Sequence, residues 1–255
     1  MKVLILGGTG QARRLAEALN RLGVPLLYSI AGRLPVDDFP FPTRVGGFSG
    51  PERTSRQGLD ALLRKHHITD VLDATHPFAA RISETAATAA QAAGLPCWQL
   101  IRPYWQPHPD DQWHYLPDIE ALGQALDAWQ RPLITLGASG LPLVNRALPS
   151  QQMVIRSAQT LHVPPPHELV IARGPFNVSD ELATLRRHGI DCVVTKDSGG
   201  HATSAKLHAA RALKLPVLLL RRPALPVTSR QFDQPADLIR ALCARPARAC
   251  NEEKS

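Results

Sequence analysis

Aromatic residues make up only 5% of the 255-residue chain, too few for a stacking surface along single-stranded nucleic acid. Cysteine is scarce as well. Cys97, Cys192, Cys243 and Cys250 lie 95, 51 and 7 residues apart. With no Cys-x-x-Cys pair, neither a zinc ribbon nor a redox dithiol is implied. Lysine supplies only 6 of the 29 basic side chains, and no basic run exceeds two residues, which argues against a nucleic-acid-binding tail. Long apolar runs are missing too. The longest uncharged stretch, Thr85–Ile101, is Ala-rich and broken by Gly94 and Pro96, so it does not span a membrane. The apolar residues Val3–Leu6 run straight into glycines and are too short for a signal-peptide core. The expectation is a cytoplasmic protein without nucleic-acid or membrane partners.

What remains is an ordinary globular composition, 44% apolar and 20% charged with a net charge of +7, in a chain long enough for one large domain or two smaller ones. Arginine dominates the basic excess, 23 residues of 29. Its planar fork binds carboxylate and phosphate bidentately, which suits a small polyanionic ligand at least as well as DNA.

Short apolar runs alternate with Ala/Leu/Arg-rich helical stretches. Strands are expected at Lys2–Leu6, Pro25–Ile30, Val71–Asp73, Cys97–Ile101, Leu133–Leu136, Met153–Arg156, Leu169–Ala172, Cys192–Thr195 and Val217–Leu220. Helices are expected at Ala12–Leu22, Gly58–His66, Pro77–Ala93, Ser179–His188 and Ser204–Leu213, with Ser179 as an N-cap and Pro77 at a first helical position. Such alternation predicts mostly parallel sheets covered on both faces, and nine strands suit two α/β domains better than one sheet. A weak repeat supports this: Gly94–Pro103 (GLPCWQLIRP) matches Lys214–Pro223 (KLPVLLLRRP) at Leu-Pro, one Leu and Arg-Pro. The expected division is 1–128, an N-terminal cofactor-binding domain, 129–245, a C-terminal substrate domain, and a disordered tail over 246–255.

The strongest local signal is KVLILGGTGQARRLAEAL, a strand leading through Gly7, Gly8, Thr9 and Gly10 into a helix. Glycines there let the backbone approach a pyrophosphate while the helix N–H groups face it. Read from Gly8, the third glycine of a G-x-G-x-x-G fingerprint is replaced by Arg13. After the second strand comes Ala31-Gly32-Arg33 instead of the acid an NAD site uses, and Arg33 suits the 2′-phosphate of NADPH. Asp73, Thr75 and His76 end a strand, where ligands of open parallel sheets bind, although Thr75 or His76 could equally cap the next helix. Lys196, Asp197, Ser198, Gly199 and Gly200 form the matching turn of the second half, offering a carboxylate anchor, a proton donor and close backbone approach. Arg173 opens a third strand-end turn, Arg173-Gly174-Pro175-Phe176. The histidine pairs His66-His67 and His201/His208 lack a convincing third ligand, so no metal site is expected.

The blocks LILGGTGQARRLAEAL, AGR, GGFSG, DATHPFAARIS, RPYW, ARGPF, TKDSGGHATSAKLHAAR and PVLLLRRP occur in this order. Together they resemble the precorrin-6A reductase / cobalt-precorrin-6A reductase family of corrin-ring biosynthesis, from Met1 to about Pro223. The resemblance implies two Rossmann-like domains with the active site in the cleft between them. It also implies NADPH-dependent reduction of one double bond of precorrin-6A, or of its cobalt form, to precorrin-6B. Carried over by position, Gly7, Gly8, Thr9 and Gly10 hold the pyrophosphate, Gly32 and Arg33 the 2′-phosphate end, and Thr75 and His76 sit near the nicotinamide. Lys196 and Asp197 are the implied catalytic pair, and Arg173, Ser198, Gly199 and Gly200 join Lys196 in holding the macrocycle. Family members can carry Asn where Asp197 stands, which leaves water as another proton source. The implied partner is the tetrapyrrole, with transient contact to neighbouring corrin-pathway enzymes as a further possibility.

Two other readings stay open on the residues alone. A short-chain reductase or epimerase shares the glycine loop, but no Tyr-x-x-x-Lys pair is present: Tyr28, Tyr104 and Tyr115 are followed four residues on by Gly32, His108 and Ile119. A non-catalytic tetrapyrrole- or nucleotide-binding protein is the other.

Overall fold

The computed structural model describes residues 1–32 and 39–245, and the chain divides into two units, Met1–Arg102 with the residues from Pro223 onward, and Pro103–Arg222. Each is built on a six-stranded sheet in which every pairing is parallel.

In the first unit the strands are β1 (Val3–Leu6), β2 (Leu26–Ile30), β3 (Thr43–Val45), β4 (Asp70–Asp73), β5 (Cys97–Leu100) and β12 (Arg230–Phe232), in the order β12-β5-β4-β1-β2-β3. Its helices are α1 (Gly10–Arg21), α2 (Ser55–Lys65), α3 (Ala80–Ala92) and α8 (Pro235–Cys243). All four residues of β1 are buried because successive side chains feed opposite cores. Val3 and Ile5 pack with Leu15, Leu19, Leu238 and Leu242, whereas Leu4 and Leu6 pack with Leu59, Leu63, Ala86 and Ala90.

The second unit holds β6 (Trp113–Leu116), β7 (Pro132–Ile134), β8 (Val154–Ser157), β9 (Glu168–Ile171), β10 (Cys192–Lys196) and β11 (Val217–Leu220), ordered β6-β11-β10-β7-β8-β9. Its helices are α4 (Ile119–Leu126), α5 (Leu141–Asn145), α6 (Val178–Arg187) and α7 (Ala205–Ala212). Ile134, Cys192 and Val194 face one core, and Leu133 and Val193 the other.

The two sheets have the same order once β1–β5 are matched with β7–β11. The sixth strand of each half is exchanged: β6, which follows β5 in the chain, pairs with β11, and β12, which follows β11, pairs with β5. This corrects the expected boundaries. A division at 128/129 would cut β6 and α4 from the sheet they complete, and would assign α8 to the wrong unit. The Arg-Pro steps of the repeat, Arg102-Pro103 and Arg222-Pro223, are where the chain passes between units. The expected tail, 246–255, lies outside the described residues.

All nine expected strands are present. The three that patterning missed, β3, β6 and β12, are sheet edges with mixed or exposed side chains. All five expected helix starts differ by one to three residues, and two of the differences change which residue caps the helix. Asn177, not Ser179, caps α6: its Oδ1 accepts from the Asp180 N–H at 2.8 Å, and Ser179 Oγ donates to the same oxygen at 2.7 Å. Helix α3 begins at Ala80, so Pro77 lies in the preceding turn and neither Thr75 nor His76 caps it.

The second unit buries a charge cluster. Arg156 Nη1 donates to Glu181 Oε2 at 2.9 Å, and Lys206 Nζ donates to the Thr203 carbonyl at 2.7 Å. Burial, reinforced by Arg156 and opposed by Glu181, pushes the Lys206 ammonium down to about 7 from an ordinary 10.5. Between those two values the unfolded chain binds more protons than the native one, so stability rises with pH across that window. The thermal midpoint of the native chain is therefore expected to climb relative to that of Lys206→Met between pH 7 and pH 9. Parallel curves would remove Lys206 as the cause.

Candidate active site

In a parallel sheet the carboxyl ends of all strands share one edge, and ligands bind where the strand order reverses direction. In the first unit that point lies between β1 and β4, and the Gly7–Gly10 turn leaves β1 there. The Gly7 N–H donates to the Ser29 carbonyl at 2.8 Å and the Gly8 N–H to Tyr28 Oη at 3.2 Å. A side chain at Gly7 would overlap the Tyr28 ring. Gly8 has φ +102° with nothing within 4 Å of where a Cβ would stand. Thr9 caps α1, accepting from the Ala12 N–H at 3.0 Å, and its hydroxyl donates to the Ala74 carbonyl at 3.1 Å. That last bond ties the glycine turn to the end of β4. An open backbone at Gly8, leading into the N-terminus of a twelve-residue helix, fits a pyrophosphate.

At the end of β4, the Asp73 carboxylate is buried and fully engaged. Its Oδ1 accepts from Thr75 N–H at 3.1 Å and Thr75 Oγ1 at 2.7 Å, and its Oδ2 accepts from Gln99 Nε2 at 3.3 Å. Thr75 is thus held by Asp73 and by a 3.4 Å contact with Ser83 Oγ. His76 Nδ1 accepts the Phe78 N–H at 3.2 Å, which places the proton of a neutral ring on Nε2. Gly32, at φ +72°, follows β2, where a Cβ would meet Val45 Cγ1 at 2.6 Å. Arg33 lies outside the described residues. Gly7–Gly10, Gly32, Thr75 and His76 thus follow three neighbouring strands, β1, β2 and β4.

Sequence reasoning missed two residues on this edge. Tyr28 closes the underside of the glycine turn and packs against Phe39 and Phe41, with ring centroids 5.2 and 5.6 Å away. Arg44 of β3 reaches the Gly46 carbonyl at 2.5 Å, bonds the Gly47 carbonyl, and stacks on Phe48 at 4.4 Å. It fixes the GGFSG turn. The only sequence signal for it was a basic residue just before two glycines.

The second unit reverses strand order between β7 and β10, and Lys196–Gly200 leaves β10 at that point. Across the reversal, Thr135 of the turn after β7 bonds the Val194 carbonyl through its N–H at 2.9 Å and its hydroxyl at 2.8 Å. Asp197 is only 3% exposed, and its buried Oδ1 has no hydrogen-bond partner among the described residues. Burial raises its carboxyl above the usual range, and the Arg222 guanidinium works against that rise. Ser198 N–H donates to the Lys196 carbonyl at 2.7 Å, Gly199 and Gly200 take φ +64° and +74°, and Trp105 Nε1 donates to the Gly200 carbonyl at 2.8 Å. Lys196, Asp197, Ser198, Gly199 and Gly200 are together. Arg173 is not with them: it follows β9, three strands from β10, about 14 Å away at ordinary strand spacing.

A glycine turn at the reversal point of one parallel sheet, and a buried acid at that of the other, define an α/β protein of Rossmann-like type. Known proteins supply the family. The family model described as Precorrin-6x reductase CbiJ/CobK matches residues 2–243. The precorrin-6A reductase of Rhodococcus erythropolis is 44% identical over 247 residues, covering 93% of this chain and 96% of that protein. That of Rhodobacter capsulatus is 39% identical over 231 residues, covering 88% and 89%. A solved structure of CobK precorrin-6A reductase, 36% identical, matches with a TM-score of 0.86 over 95% of this chain and 96% of its own. The chain belongs to the precorrin-6x reductase family. It is an oxidoreductase of cobalamin biosynthesis that acts on a CH–CH bond.

Proposed function

We propose that this chain reduces one ring double bond of precorrin-6A to give precorrin-6B, with NADPH as donor. The observation that carries the reading is Asp197, a buried carboxyl with a raised proton affinity and a vacant oxygen at the reversal point of the second sheet. A buried carboxyl whose proton affinity is raised above the usual range is the kind of group that can give a proton to carbon. Relatives named precorrin-6A reductase match at 39–44% identity, against 24–28% for those named cobalt-precorrin-6A reductase. That difference favours the metal-free macrocycle.

Gly7, Gly8, Thr9 and Gly10 hold the pyrophosphate, Gly32 and Arg33 the 2′-phosphate end, and Thr75 and His76 lie toward the nicotinamide. When bound, the reduced nicotinamide supplies hydride. Lys196 anchors a carboxylate arm of the macrocycle, and the Ser198-Gly199-Gly200 turn brings backbone against it. Asp197 releases its proton from the carboxyl to the ring carbon next to the one that takes hydride, and regains it from solvent. Arg173 meets a more distant carboxylate arm. The setting is the cytoplasm, which supplies NADPH.

The test is anaerobic incubation of the protein with NADPH and metal-free precorrin-6A, following cofactor absorbance and product mass. A gain of two hydrogens matched to NADPH consumed is the expected result. No reaction there, with turnover of cobalt-precorrin-6A instead, would reassign the substrate.

A further inference from the structure

Asp197 is held from outside its own turn. The Arg222 Nε–H donates to the Asp197 carbonyl at 2.7 Å, and its Nη2 donates to the Pro103 carbonyl at 3.3 Å. The same guanidinium lies over the Tyr104 ring with its carbon 3.9 Å from the centroid. A side chain at Gly199 would overlap both the Pro103 carbonyl oxygen and Arg222 Nη2. Arg222 and Pro103 are the last and first residues of the second unit. One guanidinium therefore joins the entry and exit of that unit to the backbone of the Asp197 turn.

The charges around the carboxyl make Arg222 its main electrostatic neighbour. Tyr115 of β6 faces it as a phenol pushed up by burial and by Asp197 itself, and Arg221, which follows β11, sits over the Tyr115 ring at 5.7 Å. Tyr104 faces Arg222 from the entering segment, and Asp111 faces Tyr115 from the same segment. Among the described residues, Arg222 is the one cation found to lower the Asp197 carboxyl.

We propose that Arg222 is a positioning residue for the reduction: it fixes the backbone of Asp197, and through it the carboxyl, between the two ends of the unit. This rests on the reading of Asp197 as proton donor. The acid must be neutral to give its proton, yet an acid bound too tightly gives it slowly. Burial pushes toward the neutral form and Arg222 restrains it.

The test pairs a titration with kinetics. The Cγ resonance of Asp197, assigned by its loss in Asp197→Asn, is followed by 13C NMR in the free protein. In Arg222→Gln the midpoint is expected to move up, because the restraining charge is gone. The alkaline fall of kcat should move up with it, while kcat at neutral pH drops about tenfold, because the Asp197 turn is no longer fixed in place. Arg222→Lys keeps the charge and loses the fork, so the pH profile should return toward the native one while kcat stays low. A folded Arg222→Gln with an unmoved Asp197 titration overturns the proposal. If Arg222→Gln does not fold, an Arg222→Lys protein with native kcat overturns it instead. Asp197→Asn judges the underlying reading separately. A native kcat there removes Asp197 from proton delivery, while the NMR midpoint in Arg222→Gln still decides whether Arg222 governs the carboxyl.

Discussion

A chain ending at Arg222 is expected to keep its second unit folded and lose the first. The truncation removes β12 and α8, and with them the partner of the β5 edge. Leu238 and Leu242 are both fully buried in the core that holds Leu15, Leu19 and Trp98, and Phe232 stacks on Trp98 at 5.9 Å. Losing one buried leucine side chain costs about 2–5 kcal/mol. Two, with an aromatic pair and a strand, approach the roughly 5–15 kcal/mol that a whole domain has. Hydrogen exchange checks the outcome: amides of β4 and β5 should lose protection while those of β10 and β11, whose neighbour β6 is retained, keep it. Native protection in β5 would show that the exchanged strand is dispensable.

Gly199→Ala is expected to damage catalysis more than stability. At φ +64° a Cβ costs about 1–2 kcal/mol, and the clash with the Pro103 carbonyl adds about 1–3 kcal/mol, so the thermal midpoint should fall by several degrees. The new methyl cannot fit between the Pro103 carbonyl and Arg222, however, and the turn has to move. A shift of about 1 Å in a catalytic group costs on the order of 100-fold in rate. Steady-state kinetics should therefore show kcat falling by about that factor, with KM for NADPH unchanged because the glycine turn proposed for the cofactor belongs to the other sheet. Native kcat would mean that the turn can relax without disturbing Asp197.

Patterning reads the buried parts of this fold well and its margins poorly. β1 announces itself because both of its faces are covered and all four residues are apolar. β3 shows Thr-Arg-Val and β12 shows Arg-Gln-Phe, since an edge strand needs only one paired side and tolerates water on the rest. The repeat was visible in Leu-Pro and Arg-Pro, yet the exchange of sixth strands was not, because pairing between distant strands leaves no local trace. Asn177 and Ser179 are both good caps, and only the backbone shows which one turns out of the helix.

The candidate site divides in the same way. The Gly7–Gly10 turn and the Lys196–Gly200 turn stand next to apolar strands, so their place at strand ends could be read. Arg173 shares the strand-end position but not the neighbourhood, since sheet order is not written along the chain. The burial of Asp197 and the reach of Arg222 across 25 residues are products of packing alone.

The exchanged strands also order events during synthesis. β5 ends at Leu100 and its partner β12 ends at Phe232, 132 residues later. At about 5–20 residues per second the ribosome needs roughly 7–26 s to cover that interval. Through that time the Cys97–Leu100 edge, with Trp98 on it, has nothing to pair with. The second sheet is relieved earlier, because β6 is already made when β11 emerges. The half translated first is thus the half completed last, and a nascent chain stalled between the two events presents an open apolar edge of the kind that chaperones cover.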